Sequence, residues 1–343
     1  MAKRPTWRKA KKIQPAVETM IIPTPSVAAG ATGSFTCDLS QIASIMNRRF
    51  YRQGLNWAVA GFKLTTFPGV QGNVTVKKLP NTWVMSNAWE KGFRAWQKMN
   101  NEAMDDTSIR PKFLDFKIFA DAIHHSAGAG ANLIPIDGQL PVAQPYVTGQ
   151  WTPSEITFPV SQTTSNATNF EIIATGASYP GAAVGSGLDA LSLIEGYAAS
   201  RALPNRLNPN VPGDADDVGP TGTPENWLGA ITNEGTDQDK DVLANLTDDY
   251  TEPPYPFEGD GTATDTQYPG GANQVPGLEV HDLEYVTAST IGGKTHFKGG
   301  NFPCGLVRAQ VQKTSAGSAF AYLQMDLVPG PHRGYLCEPM TDM

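Results

Sequence analysis

Charge is scarce in this chain. Asp, Glu, Lys and Arg make up 17 % of its 343 residues, where soluble domains average about 25 %. A loop-rich body with so little charge predicts a surface largely buried against partners, because interface cores are depleted of charge. Cysteine is scarcer still. Cys37, Cys304 and Cys337 stand alone with no CxxC spacing, an odd, sparse set that reads as free buried thiols in a reducing compartment. The chain has no run of about 18 apolar residues, which excludes a transmembrane helix and predicts no membrane partner. Its first residues contain no apolar stretch of the signal-peptide kind, so no secretory signal is expected.

Catalytic motifs are missing too. Gly176-Ala-Ser178-Tyr-Pro180 is no nucleophile elbow, because proline stands where the closing glycine belongs. Gly128 and Gly130 lack the third glycine and the strand–helix setting of a dinucleotide loop. His124 and His125 follow a predicted strand, where neighbours point to opposite faces and cannot chelate one metal together. A core or interfacial role is expected for them, with a one-histidine metal site beside Asp121 as the alternative. The sequence predicts no enzyme.

What the chain has in abundance is glycine (34) and proline (27), which favour many short elements joined by loops. It also has a charge asymmetry. Lys3, Arg4, Arg8, Lys9, Lys11 and Lys12 place six positive charges in the first twelve residues, and no acid precedes Glu18. Taking those six from the 26 Lys+Arg leaves 20 bases against 33 acids, a net of −13 on the body. Such an arm suits polyanions, since Lys and Arg displace condensed counterions from phosphates whatever the base sequence. The same residues satisfy a nuclear-entry signal, and a solvated tail is the plainer reading. Pro5 and Pro15 oppose a continuous helix there. Residues 1–33 therefore read as a basic N-terminal arm and linker, and residues 34–343 as the folded domain. A second basic cluster, Arg48, Arg49 and Arg52, surrounds Phe50 and Tyr51, a combination suited to stacking on single-stranded bases. A surface turn or a subunit contact fits that cluster equally well.

Alternating apolar residues predict strands at 34–39, 56–67, 73–79, 112–120, 155–160, 169–174, 278–289, 306–312 and 319–328. In 56–67 both faces are largely apolar, as for a strand covered on two sides. The stretch SNAWEKGFRAWQKMNNEAM predicts a helix capped by Asn87, with Glu90 three residues on. Its Trp89, Phe93 and Trp96 share one face, read as a seam that packs on a sheet rather than as a platform for bases. A second helix is expected at 187–201. There is no βαβ rhythm and no internal repeat. The prediction is an all-β fold, a single antiparallel jelly-roll sandwich with long loop insertions and one or two short helices.

Residues 201–276 break this pattern, with 14 acids against three bases and ten prolines. They read as a surface excursion, interrupted by one short helix at 239–246 and held away from nucleic acid by like-charge repulsion. Within it, Asp214, Asp216 and Asp217, and again Asp260 and Asp265, offer oxygen ligands that suit a structural Ca²⁺; a plain solvated acidic loop is the alternative.

The stretches PNTWVMSNAWEKGFRAWQKMN, FLDFKIFADAIHH, IEGYAASRALP, YPGGANQVPGLEV, GGNFPCGLVR and DLVPGPHRGYL carry a resemblance that runs from about Asn81 to the end. Together they resemble capsid proteins of eukaryotic circular single-stranded DNA viruses that encode a Rep initiator, of the marine, invertebrate- and diatom-associated kinds. The resemblance implies a jelly-roll subunit that assembles with copies of itself into an icosahedral shell. That shell would enclose single-stranded DNA with the basic arm inside, in a virion assembled in the host nucleus. A small RNA virus coat protein or a non-viral nucleic-acid-binding sandwich shares the physical features. Many relatives carry longer, Arg-rich arms. In shells of about 60 or about 180 subunits the six arm charges sum to about 360 or about 1,080, fewer than the phosphates of a genome of a few thousand nucleotides. Other inward bases, Arg48, Arg49 and Arg52 first among them, or small cations are then needed.

Overall fold

The structure, a computed structural model, describes residues 15–105, 115–136, 145–147, 149, 151–159, 167–201, 277–287, 289, 293–315 and 320–342. The arm residues 1–12 lie outside these. So does the stretch 202–276 with Asp214, Asp216, Asp217, Asp260, Asp265 and the helix expected at 239–246. In chain order the described elements are β1 (Thr19–Pro23), β2 (Thr32–Asp38), α1 (Leu39–Asn47), β3 (Leu55–Thr66), β4 (Gly72–Lys78) and α2 (Trp83–Asp105). There follow α3 (Ala122–Ala127), β5 (Glu155–Pro159), β6 (Ala167–Ile173), β7 (Ala190–Ser192) and α4 (Leu193–Arg201). The last are β8 (Glu279–Val286), β9 (Lys294–Phe302), β10 (Leu306–Lys313), β11 (Phe320–Leu327), β12 (Pro329–Gly330), β13 (Gly334–Tyr335) and β14 (Cys337–Pro339).

Nine of the strands form two antiparallel sheets. One runs β1-β11-β3-β9, with β14 pairing the first residues of β3 along the β11 edge. The other runs β2-β10-β4-β8. Their inner faces share one apolar core. Met20, Trp57, Val59, Phe62, Leu64, Phe302, Leu323 and Met325 come from the first sheet, and Val74, Val76, Val286, Val307 and Val311 from the second. Each such side chain contributes about 1.5–3 kcal/mol on full burial, which makes this interior the main source of stability.

The strand read as covered on two sides, now β3, has instead one buried face. Its pairing with β11 shifts between Val59 and Gly61, leaving Ala60 as a bulge. An extra residue reverses the alternation. Trp57 and Val59 before it, and Phe62 and Leu64 after it, therefore enter the same core, while Ala60 is exposed. On the other edge Gly299 lies against the bulge, where an added Cβ would stand 2.2 Å from the Ala60 carbonyl oxygen.

The run 21–33, read as linker, begins inside a strand. In β1, Met20 and Ile22 are fully buried and pair with Met325 and Leu323. Proline and glycine nearby masked a two-residue alternation too short to stand out. Four α-helices occur among the described residues rather than one or two, and α1 had no counterpart in the sequence reading.

A second layer is built on α2, which starts at Trp83, with the Thr82 hydroxyl accepting from the Met85 N–H at 3.3 Å. Asn87 is therefore inside the helix and not its cap. Trp89 and Trp96 are each 7 % exposed, and Phe93 stacks on Trp89 at 5.1 Å. All three rings pack around Phe116. The small sheet β5-β6-β7 joins this cluster through Ile156, Phe170 and Leu191, and its β6–β7 pair is parallel.

Of the strand expected at 112–120, the described part makes one bridge, Phe119 to Ile173. Backbone groups of Ser154 and Thr175 take up the Lys117 and Ala120 carbonyls, and side chains take up others. Gln53 Oε1 accepts from the Ile118 N–H at 2.7 Å, and Ser154 Oγ accepts from the Lys117 N–H at 3.0 Å. The helix expected at 187–201 is confined to α4. Ser192 Oγ accepts from the Glu195 N–H and so starts it late, after β7 has paired with β6.

Candidate nucleic-acid interface

The second basic cluster lies where α1 ends. Asp38 caps that helix by accepting from the Ser40 and Gln41 N–H groups at 2.8 and 3.4 Å. Leu39, Ile42 and Ala43 then bury one face against the core. The helix stops at Arg48, whose φ of 52° is left-handed. That reversal sends Phe50 and Tyr51 back along the helix, where the Tyr51 N–H donates to Ser44 Oγ at 3.1 Å.

Tyr51 does not present a face for stacking. Its ring is 1 % exposed and packs among Trp57, Tyr335 and His332, and its hydroxyl donates to the Arg333 carbonyl at 2.8 Å. The adjacency of Tyr51 to three arginines suggested a stacking role, but an aromatic beside a helix end goes to the core when neighbouring rings leave a socket for it. Phe50 remains half-buried. Tyr51→Phe should therefore lower stability by about 0.5–1.5 kcal/mol in urea unfolding, the value of one hydrogen bond.

The three predicted arginines are brought together with a fourth. Arg48 and Arg52 are exposed and Arg49 is half-buried. Arg333, also exposed, donates through Nη1 to the Phe50 carbonyl. Arg333 lies so far along the chain that no local pattern pointed to it. The N-terminal chain is strapped to the same place. Arg49 Nη1 donates to the Pro15 carbonyl at 3.0 Å, and Asn47 Oδ1 accepts from the Val17 N–H at 2.9 Å. Tyr335 Oη donates to the Val17 carbonyl at 2.6 Å. The point of attachment of the basic arm is thus beside Arg49.

The histidines lie on the short helix α3 rather than at a strand end, and each has its own partners. Asp121 caps α3 by accepting from the His124 N–H at 2.9 Å and also pairs with Arg308. His124 Nδ1 accepts from the Ala120 N–H at 3.0 Å, so its proton is on Nε2, which donates to Asn132 Oδ1 at 2.6 Å. Both ring nitrogens are engaged, which removes the one-histidine metal site with Asp121. Burial, aided by the Arg308 charge and opposed by Asn132 and nearby carboxylates, brings the His124 pKa down to about 4. His125 Nε2 faces Glu171 Oε2 at 2.8 Å in the interior. Among the described residues no group of three or more His, Cys, Asp or Glu side chains is placed to hold a metal.

Comparison with known proteins gives no matching family model, no matching curated protein and no matching solved structure.

Proposed function

We propose that the chain is a jelly-roll subunit that forms closed shells by association with its own copies. More particularly, it is the coat protein of a eukaryotic circular Rep-encoding single-stranded DNA virus, a structural protein rather than an enzyme. One observation carries the fold part of this reading. Counted without β14, the eight other sandwich strands pair first with eighth, second with seventh, third with sixth and fourth with fifth, as β1–β11, β2–β10, β3–β9 and β4–β8. That is one long antiparallel ribbon. The further pairs β11–β3 and β10–β4 are those that arise when such a ribbon is wound into two facing sheets, the jelly-roll design. Residues 79–278 enter between β4 and β8, at the tip of the ribbon, where an insertion of any length crosses no other pairing.

The packaging part is supported by charge placement. The arm with Lys3, Arg4, Arg8, Lys9, Lys11 and Lys12 leaves the body next to Arg48, Arg49, Arg52 and Arg333, which adds bases to an arm too short to neutralise a genome alone. In this reading the shared surface faces inward, toward single-stranded DNA.

Negative-stain microscopy of the purified full chain, followed by nuclease digestion, tests the proposal. Uniform closed particles holding material sensitive to DNase after disruption are expected. A persistent monomer at high concentration would overturn it, and RNase-sensitive contents would move it to an RNA virus. Deleting residues 1–12 should leave a folded body whose affinity for single strands depends less on salt. Six lost contacts at about 0.7 each lower the slope of log K against log salt by about 4.

A further inference from the structure

We propose that a pocket beside α1 takes one nucleotide of the bound strand, base inward and phosphate at the mouth. The inference rests on the nucleic-acid-packaging role proposed above and names the site at which that role becomes more than charge neutralisation. The pocket has a volume of about 340 Å³, at the small end of the roughly 300–1,000 Å³ usual for ligand sites. It has room for one nucleotide and not for a run of bases.

One wall is a helix face, since Gln41, Ser44 and Ile45 line the pocket at neighbouring positions of α1 and Arg48 follows at its C-terminal cap. Phe50, returned by the left-handed turn at Arg48, forms a second wall, and Val147, 86 % exposed, stands at the rim. Ile45, Phe50 and Val147 thus offer apolar surface to the faces of a flat ring. The inner end differs. Lys117 lines the pocket but is 8 % exposed, its ammonium 3.2 Å from the Asp115 carboxylate and 5.7 Å from the centre of the Trp151 ring.

Asp115 balances the Lys117 charge, so this lysine is not a phosphate counterion. An ammonium has three N–H donors, and one directed to Asp115 leaves others for the carbonyl oxygens and ring nitrogens of a base. The basic charge at the mouth is that of exposed Arg48, with Arg49, Arg52 and Arg333 on adjoining loops. Donors within, apolar walls and a guanidinium outside match a nucleotide inserted base first. They do not match a bare inorganic anion, which would gain nothing from Ile45 and Phe50.

The test compares a short oligothymidylate with an abasic deoxyribose-phosphate strand of equal length and charge, each titrated onto the full chain. The base-bearing strand should bind about tenfold more tightly, within the range that stacking of a base on an aromatic side chain contributes. Ile45→Trp and Val147→Trp fill the pocket from different sides. Each should erase that difference and leave abasic binding as it was, and the exposed position of Val147 protects the test should the helix substitution disturb folding. Equal affinity for both strands in the unmodified chain, or a difference that survives both substitutions, would overturn the pocket while leaving packaging intact. Binding of neither strand would overturn the packaging role itself. Thymidine monophosphate binding as tightly as the oligomer would reassign the pocket to free nucleotides.

Discussion

Replacing Trp96 with alanine is expected to lower stability by about 3–5 kcal/mol and to yield largely insoluble protein, the usual cost of removing a buried tryptophan. Trp96 is 7 % exposed and its ring lies 5.4 Å from Phe116 and 6.3 Å from Phe93. The hole left behind could not close, because Phe116 is held by the Gln53 and Ser154 bonds to the residues following it. Few domains have more than 5–15 kcal/mol to lose. The comparison that decides the role of this ring is Trp96→Ala against Arg48→Ala. The first should fail in thermal unfolding, and the second should fold normally and weaken nucleic-acid binding. A soluble Trp96→Ala protein with an unchanged melting temperature and lost affinity would make the α2 seam a base platform after all.

Acid should destabilise the fold through His124. In the fold its pKa is brought down to about 4 from an ordinary 6.5, chiefly by burial. Between those values the unfolded chain binds a proton that the folded chain refuses, so stability falls as pH drops through this window and is fully present above it. The loss is about 2 kcal/mol by pH 5 and about 3 kcal/mol below pH 4. The groups around the ring are Asp121, Arg308, Asn132 and Asp38, and none offers His124 an acceptor that its protonated form would need at Nδ1, where Ala120 donates. Urea midpoints at pH 7 and pH 5 measure the effect. His124→Gln, which keeps a donor and an acceptor but cannot titrate, should remove most of it. An unchanged pH dependence in that variant would place the acid sensitivity elsewhere.

The strands of the sandwich were legible wherever alternation ran unbroken, as in β4, β10 and β11. At β3 the strand was legible but its two-sided burial was misread, because a bulge is a property of two strands in register and nothing in LNWAVAGFKLTT reveals where β11 skips a residue. Alternation failed at β1 because five residues ending on a proline read as arm and linker until Met20 and Ile22 find Met325 and Leu323. The helix α1 did carry a signal that the reading passed over. Asp38 followed by Leu39, Ile42 and Ala43 is a cap before residues at helical spacing. The basic interface was visible as Arg48, Arg49 and Arg52 because those three are adjacent. Arg333 and the strap at Pro15 were not, since only the fold brings distant loops to one place.

The pairing of β1 with β11 has a consequence for when the molecule becomes competent. Thr19 and Asp326 are bonded across 307 residues, a separation that places the closing of the first sheet among high-contact-order events, which are slow. A ribosome that has released β1 has nothing for it to pair with until the last tenth of the chain emerges. The contacts of Pro15 and Val17 with Arg49 and Asn47 are local in sequence, but the β1–β11 pairing and the Tyr335 bond to Val17 form only in a finished chain. In the role proposed above, an incomplete chain would lack the β1–β11 pairing that completes the first sheet.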